Sequence, residues 1–548
     1  MKRIFTFLIF LFSSFLFGDV LPEKIFVVAN ASDDKSVELA KFYCQQRNIP
    51  LKNIIALDIP KNNGFVPQKV YLEKIETPLF SELVKRGAVE AMDLGITDIL
   101  GRRELMLTRL NLDFLVLCKG LPWGISTRQP LNRSVNKPDT EEASVDSEIS
   151  ARFLRQKSFK GVVKNPYYRR TGDSWRAFGI VRVARLDGKT FDDVKKSIEA
   201  GLNVEKRGLR GRAYFDKSKK AKLADDWLDA AKKSIEKLGF DVSVDEDVGV
   251  MSFGSRFDYP SIYFGWYASS PCGYFSMPSF QCADGMIGWH IYSFSALSLE
   301  RYDFWSPMFV AKASASTDGN VFEPFLHLSR HIDVFAELVF GKSVLPSEAA
   351  YSSVLAFSWQ NIYFGDPLYN PLKHSLDAQL VDIKNGKIDE LSQYSVLRKA
   401  NLIESKQGKN EALKFISLYI GKIPDTALLW RVCQMSERKE QKLNIIDSLL
   451  ARDVYNNIQY VGLAFEIGDA LQKLNEHKKA LDLYEKILAK YNAPQALLRL
   501  SAMRAEQTAK ACNGRISEKA QKIIEEIQKE KIRKMQKELE KKQKKVKK

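Results

Sequence analysis

This sequence contains few histidines and no closely spaced pair of cysteines. Its 548 residues include five histidines and six cysteines, and no two of the cysteines form a CxxC pair. This spacing excludes a cysteine-rich zinc module. His327 and His331 are four residues apart on a predicted helix, but the residues around them lack the glutamate of the HExxH zinc-hydrolase motif. We therefore expect no metal site and no other cofactor.

Long apolar runs are also missing after the first residues. Lys2 and Arg3 precede a predominantly apolar run, Ile4–Phe17, which is followed by Gly18. This order is typical of a secretory signal peptide, which predicts a signal over residues 1–18 and an extracytoplasmic protein, in the periplasm or on the cell surface. Leu16 departs from the small-x-small pattern of cleavage sites, so an uncleaved N-terminal anchor remains an alternative.

The charge is unevenly distributed. The net charge is +17, and residues 515–548 alone hold 14 Lys or Arg and 6 Glu, or +8. Such a tail attracts phosphate or anionic lipid without reading a sequence, so an anionic envelope surface is one predicted partner. A solvated charged helix is the alternative. Export argues against a nucleic-acid partner.

Strand and helix patterns alternate through the first two thirds of the chain. Apolar strands are predicted at 24–31, 54–59, 113–118, 178–184, 241–245, 261–268, 286–292 and 309–313, and helices at 33–47, 80–91, 191–206 and 225–238. Alternation of this kind favours an α/β fold with a mostly parallel sheet and flanking helices, here over residues 19–375. The polar, proline-broken stretch 126–176 is predicted to cross one face of the sheet, with a helix starting near Ser144.

The composition changes to helix formers after His374. Between residues 464 and 494, small and apolar residues follow a spacing similar to that of tetratricopeptide repeats. We predict an all-α, tetratricopeptide-like domain over 376–512, which would bind a protein partner, and a long charged helix over 513–548.

The most distinctive segment is Ser358–Pro371, in which an apolar strand runs into the turn Gly365-Asp366-Pro367. Proline holds the preceding residue in an extended conformation, so Asp366 is predicted at a strand end, where binding and catalytic groups often lie. Asp366 as a capping group within a domain-closing turn is the alternative.

Several other motifs accompany this segment in a fixed order. They are Val28–Ser32, Leu39–Tyr43, Arg47–Pro50, Ala143–Glu148, His290-x-x-Ser293-Phe294 and Gly319-Asn-Val-Phe-Glu323-Pro324. Together, over residues 24–373, they resemble an uncharacterised family of secreted bacterial proteins that occurs in genomes with the exosortase protein-sorting system. The resemblance implies an accessory protein of an envelope or surface-sorting pathway and carries no established activity.

The strand order also has a distant fold-level similarity to caspase- and gingipain-like peptidases, which place a histidine after one strand and a cysteine after the next. His290 matches the first position, but no cysteine follows it until Cys433, and no GxSxG motif is present. Ser314 or Ser316 would have to replace the cysteine, with Glu323 or Asp366 orienting the imidazole. A hydrolase of this kind is the alternative function, a degenerate scaffold without a site is a third alternative, and a buried histidine is the alternative role of His290.

The leading hypothesis is a binding protein with a ligand cleft at the strand ends. The predicted ligand-binding residues are Asn30, Asp146, Trp266, Glu323 and Asn361, and Asp366 would lie in the same cleft. Trp266 belongs to an aromatic-rich stretch suited to stacking on sugars or peptides, although such clusters also form cores. Cys272 and Cys282 flank the same region, either as a disulfide or as free thiols.

Overall fold

The computed structural model describes residues 20–60, 64–97, 102–126, 142–154, 162–247, 251–492 and 494–546, with side chains described to residue 540. The predicted signal peptide, residues 1–18, and large parts of the predicted excursion over 126–176 lie outside these ranges.

Ten strands form the main sheet. In chain order they are β1 (Ile25–Asn30), β2 (Ile54–Leu57), β3 (Phe114–Cys118), β4 (Val183–Leu186), β5 (Arg212–Asp216), β6 (Val242–Asp245), β7 (Pro260–Trp266), β8 (Ile287–Ile291), β9 (Ser316–Asn320) and β10 (Asn361–Gly365). Their order across the sheet is β6-β5-β7-β8-β9-β10-β4-β3-β1-β2. The predicted α/β class with a mostly parallel sheet is therefore confirmed.

One antiparallel junction divides this sheet. All neighbouring strands are parallel except β9 and β10, which place Ser316 opposite Gly365 and Asn320 opposite Asn361. The five strands on either side of the junction consequently run in opposite directions. The carboxyl ends of the two halves lie at opposite edges, so groups that follow strands in different halves are held apart.

Ten helices belong to the described α/β region. They are α1 (Asp34–Arg47), α2 (Gln68–Tyr71), α3 (Thr77–Lys85), α4 (Val145–Ser150), α5 (Ser174–Ala177), α6 (Phe191–Arg207), α7 (Lys222–Glu236), α8 (Trp305–Ala311), α9 (Ile332–Ala336) and α10 (Pro346–Ser352). Local sequence explains their starts, because Asp33 caps α1 and the Thr190–Asp193 capping box begins α6. The predicted starts of α1, α4 and α6 are confirmed.

Two predicted elements are wrong, and the strand predicted at 178–184 begins only at Val183. The apolar run Phe309–Ala313 is not a strand, since α8 extends through Ala311. Pro307 fits in the first turn of a helix, where its missing N–H is not needed, and short apolar runs do not distinguish strand from helix. The helix predicted to reach Ala91 ends at Lys85, and a strand, Val89–Thr97, follows it.

That strand pairs antiparallel with Arg103–Leu110 in a two-stranded hairpin outside the main sheet. Further short strands are Phe65–Pro67, Gly124–Ser126 and Ala143–Ser144, which form one small sheet, and Val163–Lys164 with Ala356–Phe357, which form another.

The region after residue 375 is helical. Its helices are α11 (Leu376–Lys384), α12 (Ser392–Gln407), α13 (Lys409–Ser417), α14 (Thr426–Met435), α15 (Lys439–Ala451), α16 (Val461–Lys473), α17 (His477–Lys490), α18 (Gln495–Cys512) and α19 (Glu518–Val546). Gly468 of α16 lies against the ring of Tyr484 of α17, where a Cβ atom would come within 2.6 Å of the ring. Within the described residues, no helix is both long and apolar enough to cross a membrane.

The helical region packs directly against the α/β region. Tyr214, Tyr263 and Tyr274 share one hydrophobic cluster with Val461 and Ala464 of α16. The two regions therefore have a common core at their contact.

Candidate functional site

A crevice opens at the carboxyl ends of β1 and β3, where successive strands are added first on one side of β1 and then on the other. From β1 the chain passes to β2 on one side, and β3 then pairs with the other side of β1. Ligands of open α/β sheets commonly bind at the carboxyl ends of the strands beside such a switch point. The crevice has a volume of about 750 Å³ and is lined by Asn30, Ser32, Asp33, Lys119, Gly120, Leu121, Trp123, Asp187, Ser298 and Glu300.

Lys119 lies at the base of the crevice, immediately after β3. Its Nζ is 2.7 Å from a carboxylate oxygen of Glu300 and 3.6 Å from one of Asp187. Burial opposes the charge of Lys119, but Asp187 and Glu300 outweigh this effect and raise the pKa of its ammonium. The side chain of Glu300 is 56% exposed, whereas that of Asp187 is buried. One partner of the ammonium is therefore fixed, and the other reaches it from the solvent side.

A chain of alternating charges continues inward from Lys119. Burial raises the pKa of Asp187, against the opposite effects of Lys119 and Arg185. Arg185 is fully buried, donates to Asp187 at 3.2 Å and contacts both carboxylate oxygens of Asp146. Asp146, predicted to bind a ligand, thus lies behind the crevice as a counter-ion of Arg185.

Asn30 holds the loops of the crevice together. Its amide donates to the carbonyl of Gly120 at 3.1 Å, and its side-chain oxygen accepts from the backbone N–H groups of Ser32 and Ile59. Both ends of the amide are thus engaged, and Asn30 shapes the rim. Of the predicted ligand-binding residues, Asn30 is the one that lines this crevice.

His290 lies elsewhere, in β8. Its Nε2 accepts from the backbone N–H of Ala268 at 2.9 Å, and its Nδ1 is 3.1 Å from the hydroxyl of Tyr263. The ring stacks on Trp305 with the centroids 3.8 Å apart. Burial lowers the pKa of His290 to about 3, so the imidazole is neutral, and the acceptor role of Nε2 places its proton on Nδ1.

The two candidate nucleophiles do not meet this imidazole. Ser316 is in register with Ile287, three residues before His290, a separation of about 10 Å at about 3.3 Å per residue. The Oγ of Ser314 donates to the carbonyl of Met286 at 2.8 Å. The hydrolase hypothesis therefore lacks the serine–histidine contact that it requires.

Asp366 follows β10, in the opposite half of the sheet from His290. It accepts from the hydroxyl of Tyr43 at 2.6 Å and from the backbone N–H of Leu368 at 2.9 Å, and it pairs with Arg47. Arg47 also forms a two-pronged ion pair with Glu205, at 2.6 and 2.9 Å. These contacts are those of a closing turn tied to α1 and α6.

Asp146 and Asn361 line one small cavity together, whereas the other predicted site residues contact other groups. The indole N–H of Trp266 donates to Asp225 at 2.7 Å. A carboxylate oxygen of Glu323 accepts from the backbone N–H of Phe325, and the amide of Asn361 donates to Asn320 at 2.6 Å. The predicted single cleft uniting these residues with Asp146 and Asp366 is not formed.

The structure also resolves the cysteine and histidine alternatives. All six cysteines lie within the described ranges and are free thiols, including Cys272 and Cys282. His331 precedes α9 and His327 belongs to a separate 3₁₀ turn, so the two do not share a helix face. No metal-binding cluster of His, Cys, Asp or Glu occurs among the residues that the structure describes.

The three residues that form the ion pairs of Lys119 in the crevice were missed by the sequence interpretation. Lys119 and Asp187 each follow directly after a fully buried strand, which is a readable signal for a polar strand-end group. Glu300 carries no such signal, because its loop reaches the crevice only through the folding of the chain after β8. Comparison with protein-family models, curated proteins and solved structures finds no match to this chain.

Proposed function

We propose that this chain is an extracytoplasmic binding protein that holds a small polar ligand in the crevice at Lys119. In this proposal a carboxylate of the ligand takes the place of Glu300 on the ammonium. The protein would act as an accessory of an envelope or surface-sorting pathway, as its motif resemblance implies. The helical region would bind a protein partner.

The observation that carries the proposal is the pairing of Lys119 inside an open crevice. One of its carboxylate partners, Glu300, is more than half exposed and so is replaceable at low cost. The other, Asp187, is buried and stays paired with Lys119 and Arg185, while Asp33 adds a half-buried carboxylate to the lining, and Glu300 becomes free once it is displaced. This charge arrangement favours a ligand that carries a cation as well as a carboxylate, such as an amino acid or a peptide terminus.

A panel of free amino acids and dipeptides tests the proposal by thermal shift, followed by calorimetry of the best compound. A ligand present at 100 times its Kd should stabilise the protein by about 2.7 kcal/mol. Lys119→Met should abolish binding. Glu300→Gln should strengthen it by up to about fivefold, because an exposed ion pair worth at most about 1 kcal/mol no longer competes.

Glu337→Gln is the matched control, since Glu337 is an exposed carboxylate paired with Lys342 at 2.9 Å, outside the crevice. It should leave the affinity unchanged. The proposal fails if no compound of the panel stabilises the protein, or if Glu300→Gln and Glu337→Gln have the same effect. The exposed position of Glu300 keeps this comparison valid even if Lys119→Met does not fold.

A further inference from the structure

The hairpin Val89–Thr97/Arg103–Leu110 has two unlike faces. One face carries Ala91, Leu105 and Leu107, which pack against the main hydrophobic core, and Ala91 and Leu105 also line a cavity shared with α3. This inner face fixes the hairpin on the α/β region. The packing of the inner face therefore holds the hairpin, and with it the outer face, in a fixed position on the α/β region.

The outer face is defined as the exposed apolar residues Met92, Leu94, Ile96 and Met106, which are uncovered in the described part of the chain. The strand register shifts between Asp93 and Thr97, and Glu104 lies on the same side as Met106. Met92, Leu94, Ile96 and Met106 are 52%, 44%, 56% and 47% exposed, and Met92 pairs with Met106 across the two strands. Single exposed apolar residues are ordinary, but several of them together on one hairpin mark an interaction surface.

The first described residues lie at the base of this hairpin. The backbone N–H of Leu21 donates to Asp113 at 2.9 Å, and the N–H of Asp113 donates to the carbonyl of Lys24 at 2.7 Å. Asp113 follows the second hairpin strand, which ends at Leu110. The chain therefore enters the fold beside the hairpin.

The sequence before that entry point is the apolar run Ile4–Phe17. Three Cα–Cα steps separate Phe17 from Val20, so these two residues lie within about 11 Å of each other. A bilayer that accommodates the apolar run is therefore brought within reach of the hairpin. The charges of the two strands nearly balance, with three acidic and two basic residues: Glu90, Asp93, Glu104, Arg103 and Arg109. Contact with a bilayer would therefore be apolar and not electrostatic.

We propose that the run Ile4–Phe17 is retained as an uncleaved anchor and that the outer face of the hairpin docks on the lipid bilayer that holds it. Met92, Leu94, Ile96 and Met106 would lie at the boundary between headgroups and acyl chains. Docking at this point, together with the adjacent apolar run, would fix the orientation of the α/β region relative to the membrane surface.

The test uses the full chain with Cys272 and Cys512 replaced by serine, since the other four cysteines are buried. Leu94→Cys is placed in this background, and Leu223→Cys is the matched control, because Leu223 of α7 is 45% exposed. The rate at which a polyethylene-glycol maleimide labels each introduced thiol measures its accessibility, with and without phosphatidylcholine vesicles. These vesicles carry no net charge and therefore do not attract the basic C-terminal tail.

Vesicles should slow the labelling of Leu94→Cys about tenfold, because burial below the headgroups excludes a polar reagent, and should leave Leu223→Cys unchanged. Equal labelling of Leu94→Cys with and without vesicles overturns the proposal. Protection without vesicles overturns it as well. Such protection at every protein concentration would mean cover by another segment of this chain, and protection that grows with concentration would mean cover by a second copy.

Discussion

Asp216 is a buried carboxylate at the end of a hydrogen-bonded series that starts at His290. The Nδ1–H of His290 points to the hydroxyl of Tyr263, which donates to Asp216 Oδ2 at 2.8 Å. The other oxygen, Oδ1, has no hydrogen-bond partner among the described residues. Burial is the main cause that raises the pKa of Asp216 to about 7. The fold therefore favours the protonated carboxyl.

This raised pKa predicts a pH-dependent loss of stability that Asp216→Asn should remove. Because the folded pKa lies above the unfolded value of 3.8, the stabilisation is fully present below about pH 4 and is lost as the pH rises through 7. The loss amounts to at most about 4 kcal/mol at 1.36 kcal/mol per pKa unit. The measurement is the free energy of urea unfolding from pH 4 to pH 8 for both proteins.

The quantity to compare is the difference in unfolding free energy between the parent protein and Asp216→Asn at each pH, because other groups titrate in the same range. Asp229→Asn, at a half-exposed position in α7, serves as the control and should follow the parent protein. Parallel curves for the parent protein and Asp216→Asn would show that Asp216 titrates normally.

The C-terminal helix α19 consists of two parts with different surroundings. Ala520 and Ile524 pack with Leu488 and Leu498 of the preceding helices. Further along, Ile532, Met535 and Leu539 are 51%, 56% and 58% exposed. The first part is thus a member of the helical region, and the second extends from it.

Removing residues 531–548 should therefore change binding and leave stability intact. This segment carries 10 Lys or Arg and 2 Glu, a net charge of +8. Its loss should weaken binding to phosphatidylglycerol vesicles at low salt, and the free energy of unfolding should change by less than about 0.5 kcal/mol. Vesicle co-sedimentation at two salt concentrations measures the first effect, because salt screens such contacts.

A deletion that starts at residue 516 is the contrasting variant. It removes Ala520 and Ile524 and uncovers Leu488 and Leu498, so it should destabilise the helical region. Equal vesicle binding by the full chain and the variant lacking 531–548 would contradict the predicted role of the tail.

At the scale of the whole molecule, buried polar groups join the two regions. Asp258 of the α/β region pairs with Arg256 at 2.6 Å and accepts from the hydroxyl of Tyr394 of α12 at 2.5 Å. Burial raises the pKa of Tyr394, and the charge of Asp258 adds to this effect, so the phenol remains a donor. This contact and the shared hydrophobic cluster connect the regions mechanically.

We therefore expect the described regions to unfold in a single calorimetric transition. Tyr394→Phe removes a buried hydrogen bond to a charged group, worth about 1.5–3 kcal/mol, and should lower this transition without splitting it. Tyr302→Phe is the control, because the hydroxyl of Tyr302 donates to Asp193 at 2.9 Å from an exposed ring. Two separate transitions in the parent protein would contradict the shared core.

The sequence by itself determined the fold class and most of the elements. The buried strands β1 and β3 and the cap at Asp33 are signals that depend on neighbours a few residues away, and the Gly468–Tyr484 spacing spans 16 residues within two adjacent helices. Short-range preferences of this kind depend on consecutive residues alone. For this reason the α/β region, the helical region and most helix starts could be predicted.

Only the tertiary structure decided which side chains meet. Asp366 pairs with Arg47, which is 319 residues away in the chain, and Glu300 meets Lys119 across 181 residues. The antiparallel junction of β9 and β10 separates His290 from Asp366, and no local pattern predicts the direction in which two distant strands pair. A polar group at a strand end is encoded locally, whereas its partner depends on strand order, which is a property of the whole chain.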